Sequence, residues 1–266
     1  MSTKNREKIL ELQDICMKYH TPSEETLAIE NLSFDVHDRE FLTIVGPSGC
    51  GKSTVLSIIS GLIPASSGTV NLNSKNNDKS GAETVGYMLQ SDHLFEWRTI
   101  KQNVLLGLEI KKILTDESCE YAVELLHKYG LGEFLDYYPN QLSGGMRQKA
   151  ALIRTLAVKP EILLLDEPFS ALDYQTRLTL SEEVKDIILS EKKAAILVSH
   201  DISEAISLSD RIIVFSERPS TVKKIVDIDF GKNVRAANEK QKHRKFNEYF
   251  DVIWGELSRE KNKSKL

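Results

Sequence analysis

The 266-residue chain reads as an α/β protein with a mostly parallel sheet, an N-terminal antiparallel β layer and an inserted helical subdomain. Three observations predict this. Short β-rich runs alternate with segments of helical periodicity. A glycine-rich stretch sits directly between one such run and a helix-compatible segment, and residues 91–159 hold helical signals with no convincing strand. With 41% hydrophobic and 28% charged residues the chain has the apolar content to bury a core, which excludes disorder and fibre.

Taken in order, residues 12–17 and 27–36 read as additional, more amphipathic strands that form the expected antiparallel layer on the main sheet. The runs at 40–45, 84–89, 162–165, 194–198 and 211–215 are four to six residues long with few charges, as buried parallel strands require. Apolar residues recur at helical spacing in Ala122, Leu125, Leu126 and Tyr129, and again in Leu180, Val184, Ile187 and Ile188. A third set, Phe246, Tyr249, Phe250, Ile253, Trp254 and Leu257, predicts a C-terminal amphipathic helix. Residues 73–81 are polar and read as a loop.

Lys and Arg number 35 against 39 Asp and Glu, a formal charge of 35 − 39 = −4. That balance argues against nucleic acid as the main partner, because phosphate-backbone binding needs clustered positive charge. Residues 232–266 carry ten basic and five acidic side chains, +5, so the rest of the chain is at −9. A solvated tail and a contact with anionic lipid headgroups both fit that asymmetry. The one long uncharged stretch, 53–74, is interrupted by Gly61, Pro64 and Gly68 and predicts no membrane span, and residues 1–8 read as no secretory signal. The chain is therefore expected in the cytosol. Cys16, Cys50 and Cys119 fit neither a disulfide framework nor a paired-cysteine metal site and read as reduced thiols.

The segment Gly46, Pro47, Ser48, Gly49, Cys50, Gly51, Lys52, Ser53, Thr54 fits G-x-x-x-x-G-K-[ST], and its four fixed positions co-occur by chance in about one chain in a hundred of this length. Between a strand and a helix, such a loop turns consecutive backbone N–H groups toward phosphate oxygens, and the helix dipole adds to them. Lys52 is placed for the β and γ phosphates and the Ser53 hydroxyl for a magnesium ion. Since Cys50 lies inside the loop, its alkylation is expected to block the site. A second apolar run, 162–165, ends in Asp166 and Glu167 at the sheet edge where the glycine-rich loop emerges. Asp166 suits the magnesium shell through water, and Glu167 suits polarising a water against the γ phosphate. The pattern predicts a phosphate-loop NTPase core binding a nucleoside triphosphate with Mg2+.

Leu142, Ser143, Gly144, Gly145, Met146, Arg147 and Gln148 closely resemble the signature of the ATP-binding cassette (ABC) ATPases, LSGG followed by Gln. The resemblance covers about residues 12–228 and implies ATP as the nucleotide. It makes Ser143, Gly144 and Gly145 a second helix-N-terminal anion site that seals the ATP of a partner copy, hence a homodimer. By the same resemblance Gln90 touches magnesium and the attacking water, His200 contacts the γ phosphate, Tyr19 stacks on adenine, and Ser170 to Asp173 form the loop crossing between the two sites. Two departures stand out. Met146 replaces the usual Gln, leaving the amide to Gln148 or to nothing, and Glu96 replaces the usual Pro in Leu94 to Thr99.

Met146 with Arg147 is similar to the subgroup that imports nitrate, sulfonates and taurine. The resemblance implies an ATPase subunit at the cytoplasmic face of the cell membrane, working with a separate transmembrane permease and an external solute-binding protein. It divides the chain into an ATPase domain at 10–230, with its helical subdomain at about 91–159, and a C-terminal helix and basic tail at 231–266. Rival expectations are a cassette that remodels nucleic acid or ribosomes and a regulator that holds ATP without hydrolysing it. Against the first stand the single signature, the 166 − 52 = 114 residues between Lys52 and Asp166, and the lack of sustained heptads. Gln90, Glu167 and His200 speak against the second.

Overall fold

The computed structural model describes residues 6–20, 25–73, 84–231, 234 and 237–261. Apart from Asn73, the loop expected at 73–81 lies outside the described residues. The chain opens with two long strands, β1 (Lys8–His20) and β2 (Glu25–His37), paired antiparallel with Leu12 opposite Phe34 and Met17 opposite Ile29. Next come β3 (Phe41–Val45), α1 (Lys52–Ile59) and β4 (Ser67–Leu72), then β5 (Val85–Met88). Three helices follow: α2 (Ile100–Ile110), α3 (Asp116–Lys128) and α4 (Gly144–Ala157). The order then alternates through β6 (Ile162–Asp166), α5 (Tyr174–Ser190), β7 (Ala194–Val198), α6 (Ile202–Leu208) and β8 (Arg211–Phe215). It ends with β9 (Val222–Asp227), α7 (Ala237–Lys242) and α8 (Arg244–Lys261).

The strands form two sheets, a three-stranded one in the order β2-β1-β4 and a six-stranded one in the order β5-β6-β7-β3-β8-β9. β5 to β8 pair parallel in the larger sheet, and β9 closes its edge antiparallel to β8. Every residue of β3, β6 and β7 is buried, because both faces of the larger sheet are covered. The strand period sorts the side chains. Leu163 and Leu165 of β6 join Phe41 and Leu197 in a core with α2 to α5, while Leu164, Ile44 and Ile196 pack with α1 and the small sheet.

Two strands were not legible in the sequence, and both are edges. β4 reads Ser-Gly-Thr-Val-Asn-Leu and buries none of its residues fully, while β9 carries Lys223 and Lys224. An edge strand needs neither an apolar run nor a clean alternation, and lysine there discourages pairing with other chains. α8 packs Phe246 and Ile253 into a third core with Ile202, Ile206, Ile212 and Val226, so residues 244–258 lie against the body rather than as a solvated tail. No helix among the described residues is long and apolar enough to cross a membrane.

Candidate nucleotide site

Parallel strands bring their carboxyl ends to one edge, and the predicted residues emerge there in turn. The glycine-rich loop leaves β3, Gln90 follows β5, Asp166 ends β6 with Glu167 just after it, and His200 follows β7. The loop conformation depends on its glycines. Gly51 sits at φ +112° immediately before α1, a left-handed geometry that a side chain would strain. At Gly46 a Cβ would stand 3.0 Å from Cys50 Sγ and 3.1 Å from Phe215 Cβ, so the loop folds tightly on itself and on β8.

Lys52 is nearly buried, and its Nζ donates to the carbonyls of Gly46 and Pro47, each at 2.9 Å. The ammonium thus braces the loop from within. Ser53 Oγ donates to Asp166 Oδ1 at 3.0 Å, and the Tyr87 hydroxyl donates to Asp166 Oδ2 at 3.3 Å. Burial pushes the Asp166 carboxyl above its ordinary range while these two donors oppose the shift. Burial and then the Asp166 charge push the Tyr87 phenol up to about 12. Ser53 and Asp166 supply hard oxygen donors side by side, with no cluster of three or more His, Cys, Asp or Glu among the described residues to cage a metal outright. That donor set fits Mg2+, which keeps its waters and takes one or two protein oxygens beside phosphates.

Glu167 takes φ +46°, an uncommon conformation for a residue with a side chain, and its N–H donates to Val198 O at 3.0 Å. Its Oε2 lies 3.1 Å from Nδ1 of His200. Ser170 Oγ donates to the Glu167 carbonyl at 2.9 Å and accepts from Gln90 Nε2 at 3.2 Å. Gln90, Ser170, Glu167 and His200 therefore form one connected chain along the sheet edge. Tyr19, 41% exposed at the end of β1, reaches the same loop from the small sheet, its hydroxyl 3.2 Å from Thr54 Oγ1.

Ser143 caps α4, its side chain accepting from the N–H of Met146 at 3.3 Å. Arg147 fixes the turn by donating to Leu142 O at 2.8 Å and pairing with Asp92 at 3.1 Å. Beside this helix start a cavity of about 360 Å3 is lined by Ser143, Gly145, Met146, Lys149 and Gln175, among others, and by no residue of the glycine-rich loop. The start of α4 and the glycine-rich loop are thus two separate surfaces of the chain.

A family model described as "ABC transporter" matches residues 29–170. The chain belongs to the ABC transporter family. It is 44% identical over 249 residues to the ABC transporter ATP-binding protein YtlC of Bacillus subtilis (strain 168), covering 94% of this chain and 95% of that one. It is 40% identical over 203 residues to the taurine import ATP-binding protein TauB of Rhizobium johnstonii, covering 76% and 77%. Among solved structures it is similar to the dimeric post-hydrolysis state of an ATP-binding cassette bound to ADP and Pi. There the TM-score is 0.69 at 31% identity, covering 84% of this chain and 100% of that one.

Within the cassette, the departures have defined surroundings. Gln148 is buried at 4% exposure and its Oε1 has no hydrogen-bond partner, so its amide does not replace at the surface the one absent at Met146. Glu96 is exposed between Phe95 and Trp97, whose rings stack at 4.8 Å, and Trp97 is 73% exposed. The buried Asn103 holds this turn, donating to the carbonyls of Phe95, Arg98 and Thr99 and accepting from the N–H of Phe95. Sequence reasoning missed two residues of the site. Tyr87 lay unmarked inside a β run, and Arg218, which donates to Gly49 O at 2.5 Å, belongs to no motif. Cys50, inside the loop, is only 2% exposed, and burial pushes its thiol up.

Proposed function

We propose that this ABC ATPase powers uptake of a small solute of the nitrate, sulfonate or taurine class through a separate membrane permease, seated peripherally on the cytoplasmic face. The observation that carries the reading is the hydrogen-bonded run Gln90–Ser170–Glu167–His200 beside the Ser53–Asp166 pair, all at one sheet edge. The likeness to a taurine import protein supports the solute class and implies the permease and an external solute-binding protein. We divide the chain into an ATPase domain at 10–230, with the helical subdomain at about 91–159, and a C-terminal region at 231–266.

In this reading the backbone of Gly46 to Thr54 binds the phosphates of ATP with Lys52, and Tyr19 stacks on adenine. Ser53, Gln90 and Asp166 would hold Mg2+, which when bound would supply charge neutralisation at the phosphates. Glu167 accepts a proton from the attacking water, and His200, fixed by Glu167, contacts the γ phosphate. Ser143, Gly144 and Gly145 of a second copy close over the same ATP, head to tail, because one chain carries both surfaces without joining them. ATP then stabilises the closed homodimer, since only that state makes both sets of phosphate contacts. The exposed turn around Glu96 and Trp97 faces the permease.

The test is Glu167→Gln in the reconstituted transporter. Expected are retained ATP binding, an ATP-dependent dimer of the ATPase subunit and lost uptake of a labelled sulfonate. Wild-type turnover in that variant would sink the assignment of Glu167.

A further inference from the structure

A cavity of about 360 Å3 beside the phosphate loop has a wall that the nucleotide chemistry does not use. Pro47, Ser48 and His200 line one side, and Trp254, Leu257 and Ser258 of α8 line the other. α8 is firmly placed by its neighbouring stripe. Phe246 and Ile253 are buried beside Ile202, the Tyr249 hydroxyl donates to Asp229 O at 3.1 Å, and Lys223 Nζ lies 3.8 Å from the Glu256 carboxylate. Trp254 stays out of that packing. It is 54% exposed, supported from behind by the Phe250 ring at 6.2 Å and 12°. A held, half-wet indole is the kind of surface that interfaces cover, since it buries a large apolar area at little cost in side-chain entropy.

We propose that this face of α8 docks onto a second copy of the chain in the ATP-closed dimer, so that Trp254 and Leu257 extend the contact centred on the phosphate loop. The inference rests on the head-to-tail reading above. The phosphate loop and His200 are what that reading covers with a second copy, and they share one cavity with Trp254 and Leu257, so the α8 face continues that surface. A body seated on Pro47 and His200 meets the α8 rim across that cavity. Two-fold symmetry repeats the contact at both sites. α8 thereby becomes part of the switch, because whatever shifts it changes how readily ATP closes the dimer.

The test uses the full chain with Trp97→Phe and Glu167→Gln, which leaves Trp254 as the only one of the two tryptophans. Trp254 emission and sedimentation are followed against protein concentration with and without ATP. The expected result is a blue shift of Trp254 that appears with the dimer and follows its concentration dependence. Adding Trp254→Ala is expected to weaken the ATP-dimer about tenfold, with circular dichroism checking that α8 still folds. A dimer that forms with Trp254 emission unchanged overturns the proposal and leaves the functional reading standing. A shift at concentrations where the chain stays monomeric also overturns it, because the nucleotide or a small solute then occupies the face. No dimer at any concentration with ATP removes the head-to-tail reading itself and this proposal with it.

Discussion

Ser53 Oγ donates to Asp166 Oδ1 at 3.0 Å, joining two motifs 113 residues apart in the sequence. The hydroxyl opens α1 and the carboxylate ends β6, two strands away from β3 in the sheet. Both oxygens are hard donors, and together they define where a magnesium ion would sit. Asp166→Asn is therefore expected to lower kcat by at least about a hundredfold, as loss of charge-stabilising groups at phosphoryl-transfer sites does. Nucleotide affinity measured in EDTA should be little changed. A loss of equal size in EDTA would mean that the carboxylate shapes the loop instead.

Lys52 donates to two loop carbonyls, and in the proposed complex its ammonium turns to the β and γ phosphates. Lys52→Ala removes charge-assisted hydrogen bonds of about 1.5–3 kcal/mol, so ATP affinity is expected to fall by about ten- to a hundredfold. Fluorescence titration with a labelled nucleotide measures it. Lys52→Arg should not restore the affinity, because a planar guanidinium does not fit a pocket built around one compact nitrogen.

Cys50 is buried in the same core cluster as Phe215, while Cys16 and Cys119 are partly exposed. Alkylation of the native chain is expected to label Cys50 last, since burial both hides the thiol and holds it protonated. Mass spectrometry of peptides after timed iodoacetamide treatment gives the order. Fast Cys50 labelling that ATP suppresses would show instead that the loop opens readily when empty.

Lys185 is held down to about 7 by burial, with the neighbouring Lys240 charge acting in the same direction. The folded state thus binds fewer protons here than the unfolded chain between about pH 7 and the ordinary lysine value of 10.5. This group's destabilising contribution therefore shrinks as pH rises through that window and is largest below it. Lys185→Met is expected to raise Tm by several degrees at pH 6–7 and by less near pH 10. Scanning calorimetry of both proteins at each pH gives the difference contributed by the interacting Lys185–Lys240 pair.

The central sheet was legible because its strands are buried on both faces, which forces uniformly apolar runs such as Ile162 to Leu165. The glycine-rich loop was legible because its tight turn before α1 demands glycine, as Gly51 at φ +112° shows. What escaped depends on long-range neighbours. β4 owes its existence to pairing with β1, with Val70 opposite Leu12, and not to its own composition. Tyr87 and Arg218 act through partners 79 and 169 residues away, a relation that no local spacing encodes. The burial of Gln148 was readable only from the phase of α4, which its Gly-Gly start leaves undefined.

The groups of the candidate nucleotide site come from the ends of β3, β5, β6 and β7 and are brought together only by the finished sheet. An unfolded chain keeps only the contiguous segment Gly46 to Thr54 and none of its distant partners, so in the proposed function ATP binds the native protein preferentially. By mass action, ligand at about a hundred times its dissociation constant adds about 2.7 kcal/mol to unfolding. A cell whose ATP falls would then lose more than fuel for the pump. The subunit itself would spend more time open to proteases, and transport capacity would decline with energy supply even before a single solute failed to cross.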